Sequence, residues 1–202
     1  MPISRMLGEL VRRQQLLQDP FLVRGIRAYQ PGDPVRDIHW SATARTGQVQ
    51  LRVRDYSART QLLVVLNVQH QDMQLSHYVA DTEEGWIEDG IRLAASVCVH
   101  ALRSGMSAGL CSNMPLGQEE KATLILPADG AAQEEELLAA FARLDIRCAQ
   151  RFPVLLESLE AYSGMDMLIL SCYDSENIRT GIAKLRAAGN QVTFHLLEGG
   201  AQ

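Results

Sequence analysis

Two short stretches of this chain are apolar at nearly every position. Gln61 to Val68 reads Gln-Leu-Leu-Val-Val-Leu-Asn-Val, and Met165 to Ser171 reads Met-Asp-Met-Leu-Ile-Leu-Ser. A strand with one wet face alternates apolar and polar residues, so a run without alternation predicts a strand buried on both faces. Such strands need helices above and below them, and the intervening sequence supplies candidates. Glu84 to Arg103 places Ile87, Ile91, Ala94, Ala95, Cys98 and Leu102 on one helical face, and Gly105 stops it. Ala131 to Leu144 predicts a helix with Glu134, Glu135 and Glu136 in its first half, where the macrodipole favours acids. Pro153 to Tyr162 and Glu176 to Ala188 predict two more helices. Ser107 to Ser112, Ala122 to Pro127 and Gln191 to Leu197 read as strands. The expected fold class is α/β, with a mostly parallel central sheet and helices on both faces. The connection into Ala122–Pro127 is too short for a helical crossover, so that strand is expected to be antiparallel.

Residues 1–60 read differently, as an N-terminal extension packed on an α/β domain of residues 61–202. Met6, Leu7, Leu10 and Val11 fall at helical spacing until Asp19-Pro20 breaks the pattern. Phe21 to Tyr29 suits an extended segment, and Gln30-Pro31-Gly32-Asp33 suits a type II turn. Asp33 then caps a helix from Pro34 to about Arg45, with Gly47 as its stop. Val35, Ile38 and Ala42 would form one face of that helix, Trp40 and Ala44 another. Gln48 to Val53 alternates, as a half-buried strand does.

Composition sets bounds on function. The 202 residues are 47% hydrophobic and 21% charged, ordinary for a globular chain. No apolar run reaches the length of a membrane span, and the first residues lack the core of a secretory signal. Charge is divided unevenly. Residues 1–60 hold ten Arg and no Lys against five acids, a balance of +5, while residues 61–202 hold nine basic and nineteen acidic residues, a balance of −10. Such a modest excess argues for Arg–carboxylate pairing more than for nucleic-acid binding. Cys98, Cys111, Cys148 and Cys172 lack metal-ligand spacing; Cys98 and Cys111, inside apolar runs, read as buried thiols, and the pattern fits a reducing compartment.

The segment Arg24-Gly25-Ile26-Arg27-Ala28-Tyr29-Gln30-Pro31-Gly32-Asp33, followed by Arg36, Ile38, Trp40 and Ala44-Arg45, resembles the signature of the domain-of-unknown-function 58 family. The order of elements after it resembles the von Willebrand factor A fold. The resemblance implies a bacterial or archaeal protein, whose relatives usually carry membrane helices ahead of the signature. The chain would then be an excised soluble portion or a short member, placed in the cytoplasm and at the membrane in its full-length form. The resemblance also implies a scaffold or adaptor role beside a MoxR-type AAA+ ATPase, with no established activity. Arg24, Arg27, Tyr29, Asp33, Arg36, Trp40 and Arg45 are the candidate partner-binding residues. Alternatively these Arg pair with Asp33, Asp37 or carbonyls and lock a packed corner around Tyr29 and Trp40; that reading is preferred here.

Von Willebrand A domains often hold Mg²⁺ on an Asp-x-Ser-x-Ser motif after the first strand, which the resemblance places at Asn67-Val68-Gln69-His70-Gln71. The carboxylate is replaced by an amide and both hydroxyls by glutamine. Asn67, Gln69 and Asp174 are therefore a weak candidate metal set, and no cofactor is expected, Mg²⁺ included. The competing assignment makes Asn67 and Gln69 polar strand caps and Asp174 a helix cap. No catalytic residue is expected: Ser41 and Thr43 would share a helix with His39 and not face it, and no nucleotide, esterase or zinc-protease motif occurs. The leading expectation is a non-enzymatic interaction module with a protein partner; the alternative is a divalent-metal-dependent ligand-binding domain. Nucleic acid is not an expected partner, and the oligomeric state is left open.

Overall fold

The structure is a computed structural model; it describes residues 23–30, 35, 38–54, 61–72 and 84–197, of which 23–25, 52–54 and 84 are described by their backbone. The chain divides into two compact units, Met1–Arg59 and Thr60–Gln202. The expected Met6–Val11 helix, the Gln30–Asp33 turn and Asp33 as a cap fall outside the described residues, wholly or in part.

In the first unit, β1 (Val23–Ala28) pairs antiparallel with β2 (Gln50–Arg54), with Ile26 opposite Arg52 and Arg27 opposite Leu51. On the other edge of β2, Ile38 bridges Leu51 and the His39 N–H donates to the Gln50 carbonyl (2.7 Å). That pairing corrects the expected Pro34–Arg45 helix. Residues 38 and 39 are held extended beside β2, so helix α1 spans only Trp40–Thr46. His39 is its N-cap, the imidazole Nδ1 accepting from the Ala42 N–H. Gly47 ends it as expected, at φ 70°.

The second unit runs β3 (Gln61–Leu66), α2 (Glu84–Arg103), β4 (Ser107–Ser112), β5 (Thr123–Ala128), α3 (Ala131–Arg143), α4 (Phe152–Ser158), a 3-10 turn (Leu159–Ala161), β6 (Asp166–Ser171), α5 (Glu176–Ala187) and β7 (Gln191–Leu196). The five strands form one sheet in the order β5-β4-β3-β6-β7. The contacts β3–β4, β3–β6 and β6–β7 are parallel; β4–β5 is antiparallel, as its short connection requires. The helix expected over Pro153–Tyr162 is α4 continued by the 3-10 turn.

Both apolar runs are central strands, as their lack of alternation demands. Leu63, Val65, Met167 and Ile169 face a layer made by Phe152, Leu155 and Leu156 of α4 and Ile178, Ile182 and Leu185 of α5. Their neighbours Leu62, Val64, Leu66, Leu168 and Leu170 are also buried and face the opposite way. There α2 lies against β3 and β4, close enough that a Cβ on Gly90 would meet the Leu66 side chain. Cys98 sits on this side and Cys111 in the layer under α4 and α5, and burial pushes both thiols up to about 12. They are neutral at ordinary pH and are not nucleophiles.

The antiparallel pair carries an irregularity between Ala108 and Leu110. Gly109 makes it possible: a Cβ there would stand 2.5 Å from the Ile125 carbonyl oxygen and 2.7 Å from the Pro127 nitrogen. Buried Gln133, from α3, donates its amide to the Ala108 (2.8 Å) and Leu126 (3.1 Å) carbonyls at the irregularity. Gly109→Ala is expected to lower unfolding stability by about 1–3 kcal/mol through forced backbone movement. Gly85→Ala, in α2 with open space around it, should be neutral or mildly stabilising. Urea unfolding of the two variants checks the difference.

Candidate functional site

In the second unit, β3 and β6 are neighbours, yet the chain leaves β3 toward α2 on one face and β6 toward α5 on the other. This is a topological switch point, where open α/β sheets bind ligands at the carboxyl ends of their strands. Each strand entering the region ends its apolar run on a polar residue: Asn67 after β3, Ser112 and Asn113 around the end of β4, and Ser171 at the end of β6. All four are fully buried.

Their polar atoms are spent on one another and on the backbone. Asn67 Oδ1 accepts from Asn113 Nδ2 (2.9 Å) and the Gln69 N–H (3.0 Å), and Asn67 Nδ2 donates to Ser171 Oγ (3.0 Å). Asn113 Oδ1 accepts from the Val68 N–H (3.0 Å). Ser112 Oγ donates to the Leu66 carbonyl (3.0 Å) and accepts from the Met114 N–H (3.1 Å). Ser171 Oγ donates to the Tyr173 carbonyl (2.8 Å). Gln69 is also fully buried; its Oε1 accepts from the Phe152 N–H and its carbonyl from the Cys172 thiol.

The candidate metal set is thus divided. Asn67 and Gln69 belong to the buried network. Asp174 is partly exposed and takes a bidentate pair from Arg179, at 3.1 Å to Nε and 2.8 Å to Nη2. The helix cap assigned to Asp174 is made instead by Ser175, whose Oγ accepts from the Ile178 N–H. A hard cation takes oxygens whose lone pairs are available to it; Asn67 Oδ1, with two N–H partners, does not fit that role. Among the described residues, no three His, Cys, Asp or Glu side chains gather as a metal-holding group.

The acid that does reach the switch point is Asp72, which the sequence reading did not single out. Its carboxylate accepts from Tyr173 Oη (3.0 Å), Ser175 Oγ (2.8 Å) and Asn177 Nδ2 (2.7 Å), tying the chain after β3 to the start of α5. Burial, and then this carboxylate, push the Tyr173 phenol above its ordinary range, so it stays a neutral donor. Beside the network, a groove of about 560 Å³ opens between β5 and α4, with Leu124, Ala149, Val154 and Leu155 in its walls and Lys121 and Gln150 among its polar lining.

The candidate partner-binding residues lie in the first unit. Asp33 and Arg36 are outside the described residues, and Arg24 is described only as a backbone position in β1. Arg27 is exposed on β1, its Nη1 donating to the Ala28 carbonyl (3.1 Å). Tyr29 is half-buried, its N–H donating to the Val49 carbonyl (2.9 Å). Trp40 and Arg45 are exposed on α1. The expectation that Trp40 fills a packed corner is corrected: it opens a helix with no buried residue and is 66% exposed. One geometric statement is corrected too. Because His39 precedes the helix, Ser41 Oγ does face its Nδ1, at 3.0 Å. That same nitrogen accepts the Ala42 N–H, so its one lone pair serves as a helix cap.

The sheet, its flanking helices and the Arg-rich ribbon ahead of it define an α/β protein with an N-terminal signature unit. Residues 25–158 match the family described as protein of unknown function DUF58, and the chain belongs to that family. The match takes in β2 through α4 and ends ahead of β6. No curated protein matches the chain. No helix among the described residues is long and apolar enough to cross a membrane.

The network makes a quantitative demand. Asn67→Ala would strand the Asn113 amide and the Gln69 N–H in a dry interior, at an expected cost of about 2–4 kcal/mol. Asn113→Ala should cost a similar amount. The double variant should cost less than the two added together, by about 1 kcal/mol, because the partners share bonds. Additive losses in a urea-unfolding cycle would contradict the shared network.

Proposed function

We propose that this chain is a non-enzymatic protein-interaction module whose second unit has a von Willebrand factor A-like core and whose first unit meets the partner. The strand order, with β3 central and β5 antiparallel at one edge, supports the finer fold assignment. The observation that carries the functional reading is Trp40: a large aromatic within the signature segment, two-thirds exposed, on a helix that buries nothing. Trp and Arg are the residues most enriched where protein interfaces hold their energy.

A catalytic reading has less support. The buried amides and hydroxyls at the strand ends are engaged in structural bonds, and the His39 Nδ1 that Ser41 faces is engaged as a helix cap by the Ala42 N–H. The metal-dependent alternative would need donors that Asn67, Gln69 and Asp174 already commit to Asn113, Phe152 and Arg179. The family resemblance makes a MoxR-type AAA+ ATPase the first partner to test, with the chain working at the cytoplasmic face of a membrane in its full-length context.

The test is affinity capture from a bacterial lysate with the full chain as bait, compared with Trp40→Ser after confirming unchanged thermal unfolding. The wild type is expected to enrich a AAA+ ATPase, and the variant to lose most of it. Identical captures by both baits would defeat the reading.

A further inference from the structure

The sheet of the second unit has an open edge beside a groove. β5 ends the order β5-β4-β3-β6-β7, so among the described strands one row of its backbone groups has no neighbour. The direction of those groups follows from two contacts. The Thr123 N–H donates to the Met114 carbonyl (3.0 Å), and the Ile125 carbonyl oxygen stands 2.5 Å from where a Gly109 Cβ would be. Both therefore face β4. Backbone groups alternate between the two edges of an antiparallel strand, so the N–H and carbonyl of Leu124 face the open edge. Pro127 takes no donor from that edge, because its nitrogen lies 2.7 Å from the same Gly109 position, on the β4 side. No charged side chain guards β5, which reads Thr-Leu-Ile-Leu-Pro-Ala.

The side chains there are apolar and wet. Leu124 is 43% exposed, Leu126 46% and, across the groove on α4, Val154 37%. On this face α4 and α5 cover β3 and β6, and the groove of about 560 Å³ remains between α4 and β5. Its walls are Leu124, Ala149, Val154 and Leu155, with Gln150 and Ser158 as neutral polar groups. Leu124 thus turns its backbone to the open edge and its side chain to the groove. A residue paired with it from an added antiparallel strand would send its own side chain to the same face, into the groove.

We propose that β5 takes an extended segment of a protein partner as a sixth, antiparallel strand, with a large apolar side chain opposite Leu124 filling the groove. Main-chain bonds to Leu124 supply affinity, and the groove selects the side chain. The site lies in the second unit and does not depend on Trp40. A second copy of the chain fits this edge less well. The irregularity opposite Gly109 leaves Thr123–Ile125 as the regular part of β5, about 10 Å long at about 3.3 Å per residue. Two such edges meeting would bury far less than the roughly 800 Å² a side that a stable dimer needs. A folded copy also keeps its Leu124 over its own groove, whereas an extended peptide has a side chain to insert.

The probe is a short labelled synthetic peptide in which threonine alternates with phenylalanine between terminal lysines. It is titrated into the full chain, and amide exchange is followed at Leu124. The expected result is saturable binding, with the Leu124 amide, fast in the free chain, slowed at least about tenfold in the complex. Two further peptides carry methyl groups on the backbone nitrogens of the phenylalanines or of the threonines. Methylated phenylalanines should weaken binding at least about tenfold and methylated threonines much less, because residues opposite Leu124 turn their N–H groups to β5. Leu124→Pro removes the outward N–H, and Val154→Asp puts a charge in the groove wall. Each should lose about tenfold or more in affinity, once unchanged thermal unfolding is confirmed. If Leu124→Pro fails to fold, Val154→Asp and the methylated peptides decide the question. Leu196→Ser, on β7 at the other edge, and Trp40→Ser, in the first unit, should bind as the wild type does. No binding, equal effects of the two methylations, or binding that survives Val154→Asp but not Leu196→Ser or Trp40→Ser would each overturn the proposal. So would a Leu124 amide already protected in the free chain: in a monomer it would assign the edge to the chain's own residues, in a dimer to a second copy.

Discussion

The carboxamide of Asn67 joins the ends of three strands, β3, β4 and β6. Its oxygen takes an N–H from its own loop and another from Asn113 beyond β4, and its nitrogen reaches Ser171 at the end of β6. An amide suits this place because it is at once donor and acceptor and carries no charge into a dry site. A carboxylate would have two acceptor oxygens and no donor for Ser171. The surrounding bonds follow from that choice. With Asn67 fixed, Val68 and Gln69 present their N–H groups inward, Gln69 can cap the start of α4, and Asp72 falls within reach of the first turn of α5.

The two units solve the problem of stability in different ways. The second buries a complete double-layered interior around β3 and β6 and satisfies the polar groups at the strand ends internally. The described residues of the first are a two-stranded ribbon and a short helix, with Leu51 buried and Trp40 facing outward. Edge strands and short ribbons invite pairing unless something covers them or charge discourages it.

Much of the second unit was legible in the sequence because its signals are local. Unbroken apolar runs located β3 and β6; residues spaced along one helical face located α2, acids in the first half marked α3, and Gly105 marked a helix end. The errors came from tertiary pairing. Asp33-Pro34 reads as a helix start, but the bond from His39 to Gln50 holds Ile38 and His39 beside β2, so the helix begins at Trp40 and Trp40 is exposed. That same shift brought Ser41 against His39. At the strand ends, the residues that end each apolar run were visible, but not which of them would meet: Asn113 is far from Asn67 in sequence and adjacent only in the parallel sheet. Asp174 looked like the acid of the site, whereas its pair with Arg179 is local and Asp72 makes the long-range contact.

Native-state hydrogen exchange at Val68 and Gln69 tests most directly whether the strand-end network is a structural lock. Both amides follow β3 and would exchange fast as ordinary loop positions. Bonded to Asn113 Oδ1 and Asn67 Oδ1 in the interior, they are expected to exchange only through global unfolding, with protection equal to that of Val64 and Val65. Exchange at loop-like rates while the β3 amides stay protected would contradict the lock and return the switch point to consideration as a mobile ligand site.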